Sequence, residues 1–106
     1  MGYIQHHAII VTSLKSEIGR AHRQAKDIFK SVGAIRKSPC NGYSSFFIPP
    51  DGSKEGWASS DEGNNWRRKF IGWLESQAYK DGSNIFKYVE VMYGDDEGQA
   101  EVTNHN

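Results

Sequence analysis

The alternation of apolar and polar positions changes period along the chain, and each change predicts an element. From Tyr3 to Thr12 the apolar run is nearly continuous and rich in β-branched and aromatic residues, which predicts a central strand. From Ser13 to Val32 the period becomes that of an amphipathic helix. Ser13 or Ser16 would cap its start, and Gly33 would supply a left-handed residue after its end. The helical stripe consists of Ile18, Ala21, His22, Ala25, Ile28, Phe29 and Val32.

The middle of the chain has the pattern of a hairpin followed by a long connection. Ala34 to Lys37 is an edge strand or only a loop. Asn41-Gly42 is a strong hairpin signal because both residues tolerate positive φ. Tyr43 to Ile48 is the returning strand, and Pro49-Pro50 ends it because proline cannot donate to a strand ladder. Residues 49–63 then form a predicted loop of about 14 residues, longer than most connections in a compact domain.

A second helix and a last strand follow the loop. The helix would begin at Asp61 or Asn64 and continue to about Tyr79. Its predicted buried face carries Trp66, Phe70, Trp73, Leu74 and Gln77, and Arg67, Arg68 and Glu75 lie away from that face. The strand from Phe86 to Tyr93 alternates, with Val89, Val91 and Tyr93 on one side and Tyr88, Glu90 and Met92 on the other.

The element order predicts the fold class. The order β-α-β-β-α-β is that of a ferredoxin-like α+β domain, four antiparallel strands with two helices on one face. A three-stranded α+β sheet is the alternative if residues 34–37 are a loop. One domain would cover residues 1–94, and residues 95–106 would be an acidic polar tail that frays. In the predicted topology the loop 49–63 lies beside the start of the first strand and the end of the last.

Composition limits the classes of partner. The 106 residues carry 13 basic and 13 acidic side chains, and this zero net charge argues against a duplex-DNA coat or a membrane-surface protein. The residues up to Lys54 carry a balance of +5 and the rest a balance of −5. The single cysteine, Cys40, and the lack of a long apolar run predict a cytoplasmic protein without membrane spans.

Catalytic and metal-binding motifs are not apparent in the sequence. His6 and His7 are adjacent on a predicted strand, point to opposite faces and therefore cannot chelate one ion. One of them would be a hydrogen-bonded core residue, and the one on the open face could bind a phosphate or donate a proton. The chain has neither of the common glycine-rich phosphate motifs. We therefore expect no catalytic residues, no metal and no cofactor.

The long loop is the best candidate for a binding site. Pro50-Asp51-Gly52 is a preset turn, Lys54 adds a charge, and Trp57 adds a large apolar surface that either lids the core or contacts a partner. Arg67 and Arg68 could make bidentate contacts to a phosphate or carboxylate. The predicted ligand-binding residues are Asp51, Ser53, Lys54, Trp57, Arg67, Arg68, His6 and His7.

Three stretches of the chain resemble a known group. YIQHHAIIVTS, NGYSSFFIPPDGSKEGW and VEVMYGDDE together resemble small proteins carried by bacteriophages and prophages. The group has no assigned activity and supplies no catalytic residues to carry over. The resemblance implies a phage setting, in which small proteins of this size often counter bacterial immunity.

Three functions are consistent with these features. The first is a non-enzymatic phage protein that sequesters a small anionic, nucleotide-derived signalling molecule. The second is a protein–protein inhibitor of a bacterial defence protein, anchored by Tyr88 and Met92 on the open sheet face or by Trp57 in the loop. The third is a small acid–base enzyme that uses the open-face histidine. We also expect a homo-oligomer through the open sheet face.

Overall fold

The computed structural model describes residues 5–51, 58–94 and 100–106 and places them in one α+β domain. The two helices pack on one face of a sheet whose other face is open. The elements are β1 (Gln5–Leu14), α1 (Ile18–Ile28), β2 (Arg36–Lys37), β3 (Tyr43–Ile48), α2 (Ala58–Ser76), β4 (Lys87–Gly94) and β5 (Glu101–His105).

The sheet is antiparallel, and its five strands lie in the order β2-β3-β1-β4-β5. The bounds of β3 are those predicted, β1 lies at the predicted centre, and β2 is the predicted edge strand. The four-stranded prediction is wrong, because β5 pairs with β4 where the sequence predicted a fraying tail. The amide of Asn106 extends this ladder by accepting from the Tyr88 N–H at 3.1 Å and donating to the Phe86 carbonyl at 2.6 Å.

The hydrophobic core fills the space between the helices and one face of the sheet. Odd-numbered β1 residues and even-numbered β3 and β4 residues point into it, as the two-residue strand period requires. Both helices contribute small or branched residues that bring them close to the strands. The buried hydrophobic residues are Ile9, Val11, Ile18, Ala21, Ala25, Phe46, Ile48, Phe70, Ile71, Leu74, Phe86 and Tyr88.

The orientation of β4 corrects one prediction. Tyr88 is 4% exposed and pairs with Val11 of β1, which places it on the helix-covered face. Met92 pairs with His7 on that same face, and Tyr93 points to the open face. Tyr88 and Met92 therefore cannot anchor a partner on the open face. Alternation alone could not orient this strand, because both of its sides carry apolar residues.

The helix ends also differ from the prediction. No side chain caps α1, whose N-cap is Glu17, and Ser13 lies inside β1. The predicted C-terminal Gly33 has no positive φ. Its N–H instead donates to the Phe47 carbonyl at 2.8 Å, and a Cβ would come equally close to that oxygen. Helix α2 begins at Ala58, so part of the predicted loop 49–63 is helical.

The turns that join the strands are only partly those expected. Asn41 and Gly42 do lie in the hairpin between β2 and β3, and the Asn41 side chain accepts the Tyr43 N–H at 3.0 Å. Neither residue has positive φ, so the expected primed turn does not form. In the described part of the chain only Gly82 has positive φ, after the end of α2. None of the helices described there is long and apolar enough to cross a membrane.

Candidate functional site

Two cavities lie on either side of one pair of side chains, His7 and Arg67, at the end of the sheet where β1 begins. His7 and Arg67 line both cavities. The first, of about 250 Å³, has mostly apolar walls, and the second, of about 390 Å³, has walls that are polar and apolar in nearly equal parts. We call the two cavities together the His7–Arg67 cleft. The first cavity is slightly smaller, and the second slightly larger, than the lower limit of ordinary small-molecule sites, about 300 Å³.

Arg67 is the central charge of the cleft. It is 8% exposed, although its place in the helical pattern predicted a solvent-facing residue. Its Nε lies 3.5 Å from Glu90 Oε2, one terminal nitrogen lies 3.9 Å from Asp51 Oδ2, and the other donates to Asn64. Gly63 permits this approach, because a side chain there would overlap the Asp51 carboxylate. Burial of a charge of this kind requires such partners.

Glu90 is held in place by the strand that the sequence did not predict. Its Oε1 accepts hydrogen bonds from the Thr103 hydroxyl at 2.6 Å and the Asn104 amide at 3.0 Å. The opposite oxygen, Oε2, faces Arg67. A β-bulge between Glu90 and Val91 lets two neighbouring β5 side chains reach the same carboxylate oxygen. Strand β5 therefore fixes the orientation of the buried ion pair.

His7 is the polar group of the cleft whose hydrogen bonding is incomplete. Its Nδ1 is fully buried and has no hydrogen-bond partner among the described residues. Burial lowers the pKa of His7 below its ordinary value, and Arg67 lowers it further, against the opposing effect of Glu90 and Asp51. The imidazole is therefore neutral at neutral pH. Its unpartnered nitrogen can accept or donate one hydrogen bond, depending on the tautomer.

An aromatic and proline wall closes the first cavity. Pro49 and Pro50 end β3 and turn the chain toward α2, where half-buried Trp66 faces Phe29 edge-on at 6.5 Å. Lys30 Nζ lies 5.7 Å from the centre of the Trp66 ring. The wall therefore combines a flat apolar surface with a cation at its rim, an arrangement that suits a planar ring bearing negative charge.

The cleft is lined by equal numbers of acidic and basic side chains, but not every base lies beside an acid. The acids are Asp51, Glu75 and Glu90, and the bases are Lys30, Arg67 and Arg68. Asp51 and Glu90 face Arg67, and Glu75 accepts the Tyr88 hydroxyl at 2.7 Å. In the described part of the chain neither Lys30 nor Arg68 has a carboxylate partner. The cleft therefore has one unpaired cation on each side of the buried pair.

The structure brings together four of the predicted site residues. Asp51, Arg67, Arg68 and His7 all line the cleft. His6 does not, because it lies on the open face with its ring 4.9 Å from that of Tyr93. The expectation that the core histidine would be the hydrogen-bonded one is wrong for His7 Nδ1. Ser53, Lys54 and Trp57 lie outside the described residues.

Sequence reasoning missed three groups of the cleft. Glu90 was assigned to the open face, Trp66 was assigned only to the core, and Lys30 lies after the helix and was not singled out. The sequence offers one signal for Glu90, which lies two residues after Tyr88 on the same side of the alternating strand. If that side faces inward, the carboxylate requires a buried partner. No group of three or more described His, Cys, Asp or Glu side chains could hold a metal ion.

The chain matches no family model, and no curated protein and no solved structure is significantly similar to it. Function must therefore be inferred from the geometry of the cleft and the chemistry of its side chains.

Proposed function

We propose that the chain is a phage-encoded, non-enzymatic protein that counters bacterial immunity by sequestering a small anionic, nucleotide-derived signalling molecule in the His7–Arg67 cleft. The observation that carries this proposal is the buried, unpartnered Nδ1 of His7 beside buried Arg67, between an aromatic cavity and a second cavity of mixed polarity. The phage setting, and with it the host cytoplasm, rests on the resemblance of the three stretches. A ferredoxin-like frame extended by β5 is part of the same proposal.

The chemistry of the cleft favours this class of ligand. A base can lie against the Trp66 wall, where stacking and apolar burial contribute. A rotation of the His7 ring, whose Nδ1 is now buried, would let a hydroxyl or ring nitrogen of the ligand complete the hydrogen bonding of that atom. Lys30 and Arg68, one in each cavity, can each meet a phosphate oxygen.

Isothermal titration against a panel of cyclic and ADP-ribose-derived nucleotides tests the proposal. We expect heat with at least one of them, and about tenfold weaker binding for Lys30→Gln and for Arg68→Gln, the change expected for one charge-assisted hydrogen bond. Lys26→Gln and Lys69→Gln are the matched controls, because both residues are exposed and line neither cavity. No heat with any nucleotide, or equal losses in the controls, would overturn the proposal.

An acid–base enzyme remains a second function, with a different histidine from the one predicted. The ring of His6 lies tilted against Tyr93 on the open face, whereas His7 is neutral and has a buried unpartnered nitrogen in a cleft. Incubation of each binding nucleotide with the protein, followed by chromatography, separates the two functions. Turnover that is lost in His7→Gln while binding persists would favour the enzyme.

A further inference from the structure

The open face of the sheet carries a second feature, independent of the cleft. Large apolar and aromatic side chains from β1, β3, β4 and β5 remain exposed there, and no described segment covers them. A depression of about 460 Å³ lies over part of this face, beside Ile10 and Phe47. The exposed residues are Ile10, Leu14, Tyr43, Phe47, Tyr93 and Val102.

A polar row crosses this face at right angles to the strands. The pairing register aligns Arg36 with Ser45, Ser45 with Thr12, and Thr12 with Lys87, so these four residues stand side by side on β2, β3, β1 and β4. The Thr12 and Ser45 hydroxyls lie 2.7 Å apart in the middle. Three strand spacings, together about 14 Å, separate the two basic ends. We call these four residues the Arg36–Lys87 row.

Aromatic rings flank the row on both sides. Tyr43 and Phe47 are the residues two before and two after Ser45 on the same face of β3, each roughly 7 Å from it along the strand. Both rings are about half exposed. None of the described strand residues that the register places on this face is aspartate or glutamate. The face therefore combines stacking surfaces with a positive row and lacks acidic side chains in its described part.

We propose that the open face binds a short stretch of single-stranded nucleic acid, which crosses the strands with phosphates on the Arg36–Lys87 row and bases on Phe47 and Tyr43. Stacking of unpaired bases on aromatic side chains of an open sheet, with basic residues on the backbone, is a general mode of single-strand binding. A duplex keeps its bases stacked inside and cannot use these rings. A second copy of the chain would bring its own positive row to this positive face.

Fluorescence anisotropy with labelled 12-nucleotide single strands, RNA and DNA of mixed sequence, tests this inference. We expect saturable binding at low salt and weaker binding of the corresponding duplex. Arg36→Gln and Lys87→Gln should each reduce the slope of log affinity against log salt concentration by about 0.7. Phe47→Ala and Tyr43→Ala should each weaken binding by about 5- to 150-fold.

Controls separate this face from the rest of the molecule. Tyr79→Ala removes an exposed aromatic residue outside the sheet, and Lys69→Gln removes an exposed charge on α2. Both should leave the affinity unchanged, as should the cleft variant Arg68→Gln. All four face residues are exposed, so the thermal melts of their variants should resemble that of the wild type.

Four outcomes would overturn the inference. The first is no single-strand binding at low salt, and the second is duplex binding of equal strength. The third is dimerisation in sedimentation that Phe47→Ala abolishes, since this would make the face an interface between copies. The fourth is binding that depends on Arg68 or Trp66 instead of the face, since this would assign the oligonucleotide to the cleft.

Discussion

At the scale of single residues, His7 and Arg67 determine the character of the cleft. Arg67 satisfies its charge through Glu90 and Asp51, whereas His7 has a buried nitrogen without a described partner. A buried polar atom without a hydrogen bond lowers the stability of the folded state by about 1–3 kcal/mol. The protein therefore carries a local cost that a ligand can remove.

The lowered pKa of His7 predicts a pH-dependent stability. The unfolded chain binds a proton at His7 near pH 6.5, and the folded chain does so only at lower pH. Stability contributed by neutral His7 is therefore present above pH 6.5 and is lost as the pH falls below it. We expect the free energy of unfolding, measured in urea, to fall more steeply from pH 7.5 to 5 in the wild type than in His7→Gln. Parallel curves would contradict this.

At the scale of elements, the Arg67–Glu90 pair joins α2 to the β4–β5 ribbon. The helix supplies the base, β4 supplies the acid, and β5 supplies Thr103 and Asn104, which orient the acid. Both charged groups are buried. A buried pair of this kind contributes little net stability over an apolar pair, but breaking it leaves one charge without a partner.

Single and double replacements of this pair should behave differently. Glu90→Ala should lower the free energy of unfolding by about 3–5 kcal/mol, because Arg67 would remain buried without its main carboxylate. The double variant Arg67→Met/Glu90→Met should return to within about 1 kcal/mol of the wild type. Urea unfolding measures both.

The exposed pair Glu17–Arg20 is the matched control for that experiment. Its nitrogen–oxygen distance is 3.0 Å, but both side chains are at least one-third exposed. Glu17→Ala should therefore cost no more than about 1 kcal/mol. A double variant of Arg67 and Glu90 as unstable as Glu90→Ala alone would show that the charges themselves hold the elements together.

At the scale of the whole molecule, one core unites both helices with the sheet. The centre of the Trp73 ring lies 5.5 Å from that of Phe86, the residue before β4, and 6.4 Å from that of Phe70 on the same helix. Phe29, after α1, meets Phe70 at 5.7 Å. The buried hydrophobic residues in the described part of the chain therefore form one continuous cluster.

Unfolding should accordingly be a single cooperative transition. Far-UV circular dichroism reports the helices, and near-UV circular dichroism reports the aromatic packing around Trp73 and Phe86. We expect the two urea curves to coincide, with an m-value of about 1–3 kcal/mol/M. Loss of the aromatic signal before the helical signal would show that the helices and the sheet unfold as separate units.

Prediction from sequence was most successful where one local signal dominated. Strand β3 has its predicted bounds because prolines end it, and α1 lies within the predicted helix because its apolar stripe is continuous. His22, on that stripe, hydrogen-bonds the Gly33 carbonyl at 3.0 Å. The candidate site is only partly predictable from the sequence, which points to Asp51, Arg67, Arg68 and His7 but places Glu90 on the wrong face.

The sequence by itself determined the α+β class, the central position of β1 and the separation of two adjacent histidines onto opposite faces, because these follow from the periods of strands and helices. The tertiary structure alone decided which face of β4 is buried, that residues 101–105 form β5, and that Arg67 enters the core. These depend on partners distant in the chain: Glu90 can be buried because Arg67 and β5 meet it there. The periodicity of the sequence carries no information about which distant residues come into contact.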